Sequence, residues 1–295
     1  MTTRIVYTIL LSTLVSACGA TRTAAWEVEA SAGSTDQAMV DQLKGSIAAN
    51  WDKRIDRAAT EAALADMEKL DAAGGASVED YVLASRAYYF YSDTHLRFAG
   101  EDDAMLESYQ KGISMAEKGM LASSDAFKER VKAGERPEDA VGSVELNGQP
   151  AMYWYASNLG RWAKQSGFAT LLREKDRIKK IMTRVMELDE NYFYGGPHRY
   201  FGAMYGLAPG FAGGDMDKSK EHFEKAISLA PDYLGTRVLF LEVYAQKEED
   251  EEIWQEQMKI IDATAESALE GMTPENHFEK KKAEGLKAME EDIFF

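Results

Sequence analysis

Leu188-Asp189-Glu190-Asn191-Tyr192 and Leu229-Ala230-Pro231-Asp232-Tyr233 stand 41 residues apart and repeat one pattern. A leucine ends a run of helix formers, a short polar break follows, and a tyrosine begins the next apolar period. Between them Ser219, Phe223, Ala226 and Leu229 recur at spacings of four and three, which puts them on one helix face, and Pro231 ends that run. Each motif therefore closes one helix pair and opens the next. Working outward, the same grammar predicts helices at 37–50, 53–72, 78–98, 102–121, 150–166, 173–188, 198–207, 216–229, 233–246, 251–270 and 274–291. The breaks carry helix punctuation: Ser34-Thr35-Asp36-Gln37 with capping-box spacing, Gly74-Gly75-Ala76-Ser77 with Ser77 as N-cap, Gly196-Pro197 and Thr273-Pro274 with proline in a first turn, and Gly213-Gly214-Asp215 as a turn into a cap. No segment shows the alternation of a strand. Residues 122–149 read as an irregular insertion, with an ordered turn over 144–148.

The Ser219–Pro231 run resembles the second helix of a tetratricopeptide repeat, in which small residues let helices approach, an aromatic fills the groove and proline ends the unit. A full 34-residue signature is absent. The expected fold is all-α, a tetratricopeptide-like helical-repeat solenoid of about four or five helix pairs spanning 36–292.

The amino terminus has Arg4 before a short uncharged apolar stretch and small residues at its end, the layout of a signal peptide over 1–17. Leu14-Val15-Ser16-Ala17-Cys18 resembles the bacterial lipobox, which implies acylation of Cys18 and attachment to a lipid membrane. The alternative is a cysteine of an ordinary leader or a buried thiol, but a lone cysteine in an oxidising compartment would be a stray reactive group. Gly19 rather than aspartate follows, which favours the outer membrane, facing the periplasm. Residues 18–35 are small and polar, as suits a flexible tether.

Composition excludes several classes. The 295 residues include 34 basic and 50 acidic side chains and 45% hydrophobic residues, enough to bury a core. A net charge of −16 argues against a nucleic-acid partner, whose phosphates need clustered Lys and Arg. Removing 1–17 deletes Arg4 and no acid, leaving 33 basic against 50 acidic residues, a net −17. Catalytic signatures are missing: there is no G-x-S-x-G elbow, P-loop, G-x-G-x-x-G or H-E-x-x-H. The four histidines (His95, His198, His222, His277) are scattered in sequence. Asp215-x-Asp217-x-Ser219 begins like a calcium loop, but Lys220 replaces the glycine of the turn and Ala226 the bidentate glutamate, so no metal or other cofactor is expected. The run Glu248–Glu252 reads as a solvated loop opening a helix.

The aromatics are the remaining candidates. A helix over 150–166 would place Trp154, Asn158, Trp162 and Gln165 near one side, where indoles beside amides can line a ligand cleft or equally form core. Tyr88-Tyr89-Phe90-Tyr91 must point several ways, so one of them should face a cleft or another subunit.

Tyr192-Phe-Tyr-Gly-Gly-Pro-His-Arg-Tyr-Phe-Gly202, followed by Pro209-Gly210, Gly213-Gly214-Asp215 and Ser219-x2-His222-Phe223-Glu224-Lys225-Ala226, closely resembles the TatT family of periplasmic lipoproteins associated with tripartite ATP-independent periplasmic (TRAP) transporters. The aromatic run Ala151–Trp162 and the lipobox resemble that family too, while 36–149 matches only in helical character. The resemblance implies a non-enzymatic homotrimer with a ligand-accessible cleft in each subunit, a periplasmic solute-binding subunit as partner, and a small organic ligand of hydrophobic character. The ligand-binding candidates are Trp154, Asn158, Trp162, Tyr194, Arg199 and Tyr200. Arg199 can reach an anionic ligand or cap a carbonyl. The competing function is a tetratricopeptide-type envelope-assembly scaffold that binds peptide segments in its groove. A hydrolase working through unidentified carboxylates is a third class without a motif behind it.

Overall fold

A computed structural model describes residues 22–28 and 36–294, and every regular element among them is helical. Cys18, the 1–17 leader and tether residues 19–21 and 29–35 lie outside the described residues. Twelve helices carry the fold. They are α1 (Gln37–Trp51), α2 (Arg57–Ala72), α3 (Val78–Tyr91), α4 (Asp102–Ser123), α5 (Asp125–Lys132), α6 (Gln149–Gln165), α7 (Phe168–Leu188), α8 (Tyr192–Leu207), α9 (Met216–Leu229), α10 (Leu234–Phe240), α11 (Glu251–Ala263) and α12 (Thr273–Lys287). Sequence neighbours pack as pairs, α1 on α2, α3 on α4, α6 on α7 and α8 on α9, and α4 also packs on α6 to join successive pairs. This is the helical-repeat solenoid expected from the spacing.

Local chemistry sets the ends. Asp36, Asp56, Ser77, Ser124, Asp215 and Asp250 each accept a hydrogen bond from a backbone N–H of the helix they open, satisfying donors that would otherwise be orphaned. Asp215 thus does the work of a cap and also pairs with Lys218 at 2.7 Å. The Glu248–Glu252 run turns through Glu249 at φ 52° before Asp250 caps α11. Three expectations need correction. The second helix starts at Arg57, where Asp56 caps it, rather than at 53. The single helix expected over 251–270 stops at Ala263, because Thr264 is extended and its hydroxyl bonds back to the carbonyl of Ile260 at 2.8 Å. Residues 122–149 are not irregular throughout: α5 and a short helical turn at Pro137–Ala140 lie there, with Phe127, Val131 and Val144 buried in the main core. Few apolar residues in a charged run hid that helix.

The tether expectation also changes. Residues 25–27 form a 3₁₀ turn, and Trp26 packs edge-on to Phe127 at 6.3 Å and against Tyr155 at 6.2 Å. Arg22 donates to Glu117 at 2.7 Å, and the backbone N–H of Ala25 donates to the same carboxylate at 2.8 Å. Glu117 is fully buried on α4; burial pushes its carboxyl up and Arg22 only partly opposes this. Segment 22–28 is therefore a docked strap. Arg22→Ala, which strips the charged donor from that carboxylate, is expected to cost about 2 kcal/mol, read as a lower urea midpoint with an unchanged slope.

The carboxyl end closes the array. Glu275 of α12 binds Arg54 at 2.7 Å and Arg86 of α3 at 2.6 Å. Phe278 lies among Phe90, His95 and Phe98, with ring centroids 5.0–5.9 Å away. Lys282 donates to Asp93 at 2.6 Å. α12 so fills the space between the first pairs and α10. Asp93 and Glu242 both sit in π-helical turns, Ser92–Leu96 after α3 and Leu241–Ala245 after α10, and such one-turn widenings often re-aim side chains at functional sites.

Candidate ligand-binding cleft

α6, α7 and α8 bound an apolar cleft of about 170 Å³. Its walls come from spacings of three and four on each helix. On α6, Tyr153, Ser157, Gly160, Arg161 and Lys164 share the lining face, α7 contributes Phe168, Leu171, Leu172 and Ile178, and α8 contributes Tyr200, Met204 and Leu207. The mouth is ringed by exposed hydrophobics: Phe168 is 56% exposed, Leu172 44%, Leu207 40%, and Phe211, beside lining residue Ala212, 85%.

The floor depends on an unusual turn. Phe193, Tyr194 and Gly195 all take left-handed backbone, at φ 45°, 60° and 68°, a conformation costly for bulky aromatics. Arg199, four to six residues on, offsets that cost by donating to the carbonyls of Phe193 (3.2 Å) and Tyr194 (3.1 Å), and also to Thr236 Oγ1 (3.2 Å) and the hydroxyl of Tyr153 (2.9 Å). Its guanidinium stacks over Tyr233 at 4.6 Å. Gly196 lets Tyr153 approach, since a Cβ there would lie 2.6 Å from the tyrosine ring. Behind this floor a second, polar cavity of about 50 Å³ is lined by Arg86, Asp93, Trp154, Glu275 and Glu279 among others, and it shares Tyr89, Tyr153 and Arg199 with the outer cleft.

The structure divides the candidates named from sequence. Arg199 and Tyr200 line the cleft. Trp154 faces the inner cavity and is 3% exposed, within 4.7–5.4 Å of Phe193, Tyr153 and Tyr89 in edge-to-face contacts. Asn158 is wholly buried, donating to the carbonyl and hydroxyl of Ser85 and to the carbonyl of Trp154. Trp162 is half-buried against Leu96, Met105 and Tyr109. Tyr194 stacks on Tyr233 at 5.3 Å away from the cleft lining. The indole and amide face of α6 thus packs against α3 and α4, and the lining face is the next one round, one residue or 100° away. Sequence reasoning missed Arg161, Lys164 and Phe168; the run Tyr153–Ser157–Arg161–Lys164, at four, four and three, was the available signal. Of the four aromatics at 88–91, Tyr89 faces both cavities. Two of the histidines scattered in sequence meet: His198 Nδ1 lies 2.9 Å from His222 Nδ1, and its Nε2 lies 3.0 Å from Glu190.

Fold and cleft together define a helical-repeat protein that encloses a small apolar cavity. A family model described as the TRAP transporter T-component, TAtT, matches residues 50–294, and the chain belongs to that family. It is thus a component associated with a TRAP transporter. No curated protein matches the chain. Among the described residues no helix is long and apolar enough to cross a membrane.

Proposed function

We propose that this T-component binds a small, largely hydrophobic organic ligand in the α6–α7–α8 cleft and docks the solute-binding subunit of its transporter over the cleft mouth. Lipid attachment through Cys18 would hold it at the outer membrane, facing the periplasm, and the working assembly would be a homotrimer. The observation that carries this reading is the apolar cleft opening through a rim of exposed Phe168, Leu172, Leu207 and Phe211, since a small protein seldom leaves large apolar side chains grouped in solvent without a partner. Against the peptide-scaffold alternative, the space a segment would enter between the first helix pairs and α10 is filled by α12 through buried ion pairs. Co-purification of the mature protein with a TRAP solute-binding subunit from the same organism is the test. Phe168→Asp combined with Phe211→Asp is expected to abolish capture while leaving helicity intact; undiminished capture by that variant would remove the rim from the docking surface.

A further inference from the structure

The chain carries sixteen more acidic than basic side chains, yet the lining of the outer cleft holds Arg161, Lys164, Lys175 and Arg199 and no carboxylate. Lys164 and Lys175 stand toward the mouth, and the two arginines lie at the floor, each joined to a tyrosine. Arg161 Nε donates to the Tyr89 hydroxyl at 3.1 Å, and Arg199 donates to the Tyr153 hydroxyl at 2.9 Å. A phenol that accepts from a guanidinium keeps its own proton to give, and neither hydroxyl donates to an acceptor among the described residues. Arg161 has a counter-ion, Asp93 at 3.4 Å. Arg199 is 8% exposed, its hydrogen bonds go only to hydroxyls and carbonyls and its face lies over the Tyr233 ring, so its buried charge is paired with no carboxylate among the described residues. A permanently charged group in that position is costly unless something anionic reaches it.

We infer that the cleft takes an anionic amphiphile, a carboxylate on a hydrocarbon body, with the head accepting from the Tyr89 and Tyr153 hydroxyls in front of Arg199 and the body running along Leu171, Leu172 and Met204 toward the mouth. Two phenol donors lining one cleft can each serve one oxygen of a carboxylate, and polarisation by the guanidinium strengthens each bond. Nothing covalent is involved. The inference rests on the cleft being the ligand site and adds the charge and orientation of what fills it.

Calorimetric titration of the lipid-free mature protein with decanoate, 1-decanol and decyltrimethylammonium, each below its aggregation concentration, separates the two ideas. Decanoate is expected to bind at least about tenfold more tightly than decanol, the scale of one charge-assisted contact, and the ammonium more weakly than either. Tyr153→Phe and Tyr89→Phe, each removing one oxygen, should each weaken decanoate about five- to tenfold and leave decanol unchanged. Circular dichroism confirms that each variant is folded. Equal binding of acid and alcohol would overturn the anionic head while leaving the apolar cleft standing; saturable ammonium binding tighter than decanoate would overturn it too. Absence of binding by all three would remove the cleft as a ligand site, and this inference with it.

Discussion

Asp93→Asn is expected to lower stability by about 3–5 kcal/mol, whereas Glu279→Gln, one turn from the shared partner Lys282, should change it by less than about 1 kcal/mol. The two carboxylates occupy the same buried network but in opposite electrostatic states. Burial alone would raise the Asp93 carboxyl, but Arg161, Lys282 and Arg97 outweigh it and hold it well below the usual carboxylate range. Their distances are 3.4, 2.6 and 3.7 Å. Neutralising Asp93 removes the counter-ion that buried Lys282 shares with part-buried Arg161 and the more exposed Arg97, leaving Lys282 with Glu279 and Arg97 with Glu242, and losing compensation for a buried charge is the expensive case. Glu279 is pushed up by burial, and Lys282 does not reverse this because Asp93 and Glu242 repel it. Removing its charge relieves that cost while weakening the 2.8 Å contact to Lys282, and the two effects oppose. The pH dependence follows in sign. Asp93, with a lowered folded pKa, contributes stability that is present above the unfolded carboxylate value of about 4 and is lost as pH falls through the folded value. Glu279, with a raised one, costs stability as pH rises from the unfolded value through the folded value. Urea midpoints measured from pH 3 to 8 check both: the Asp93→Asn curve should sit lowest at neutrality and converge on wild type in acid. A variant as stable as wild type at pH 7 would mean that Glu279 and Glu242 alone compensate Lys282, Arg161 and Arg97.

Those contacts also show where sequence reading ends. Caps, breaks and helix pairs are encoded within a turn or two of each other, so Ser77, Asp215 and the Leu188 and Leu229 motifs were legible from residue type and spacing alone. The return of α12 was not, because Arg54 and Glu275 are 221 residues apart and no local pattern announces such a pairing. The same holds for the strap, where polar composition suggested a tether while Arg22 and Trp26 each had a distant partner in Glu117 and Phe127. At the site, the right helix was legible and the right face was not. Aromatic content drew attention to Trp154, Asn158 and Trp162, yet bulky aromatic and amide groups are also what a core contact between helices uses. Gly112 illustrates it from the other side. A Cβ there would fall 2.4 Å from the Asn158 amide oxygen, so the glycine and the asparagine are one close helix contact, which no single-helix periodicity reveals. The left-handed Phe193–Gly195 turn was half legible: Gly195 and Gly196 marked a tight bend, but two aromatics at positive φ are tolerated only because Arg199 holds their carbonyls.

Trp154→Ala is the substitution that separates those readings of α6. The indole is 3% exposed and touches Tyr89, Tyr153 and Phe193, so truncating it removes a large buried surface and opens a void that joins the inner cavity of about 50 Å³. Phe and Trp truncations at such sites cost about 3–5 kcal/mol, and for a domain of this size that corresponds to a fall in Tm on the order of 10 °C. Relaxation of the neighbours into the void is restricted. Tyr153 is held by Arg199 and crowded by Gly196, and Phe193 belongs to the strained turn. Because Trp154 does not line the outer cleft, the folded fraction of the variant at low temperature should bind a cleft ligand within about threefold of wild type, less than the effect of one lost hydrogen bond. A direct ligand contact would give the reverse pattern, a small change in Tm and a large loss of affinity. Trp162→Ala offers the internal control. It is half-buried against Leu96, Met105 and Tyr109, so it should follow Trp154 in sign with a smaller loss of about 1–2 kcal/mol. Thermal melts and calorimetric titration of the two variants side by side place the tryptophan face either in the core that supports the cleft or in the cleft itself.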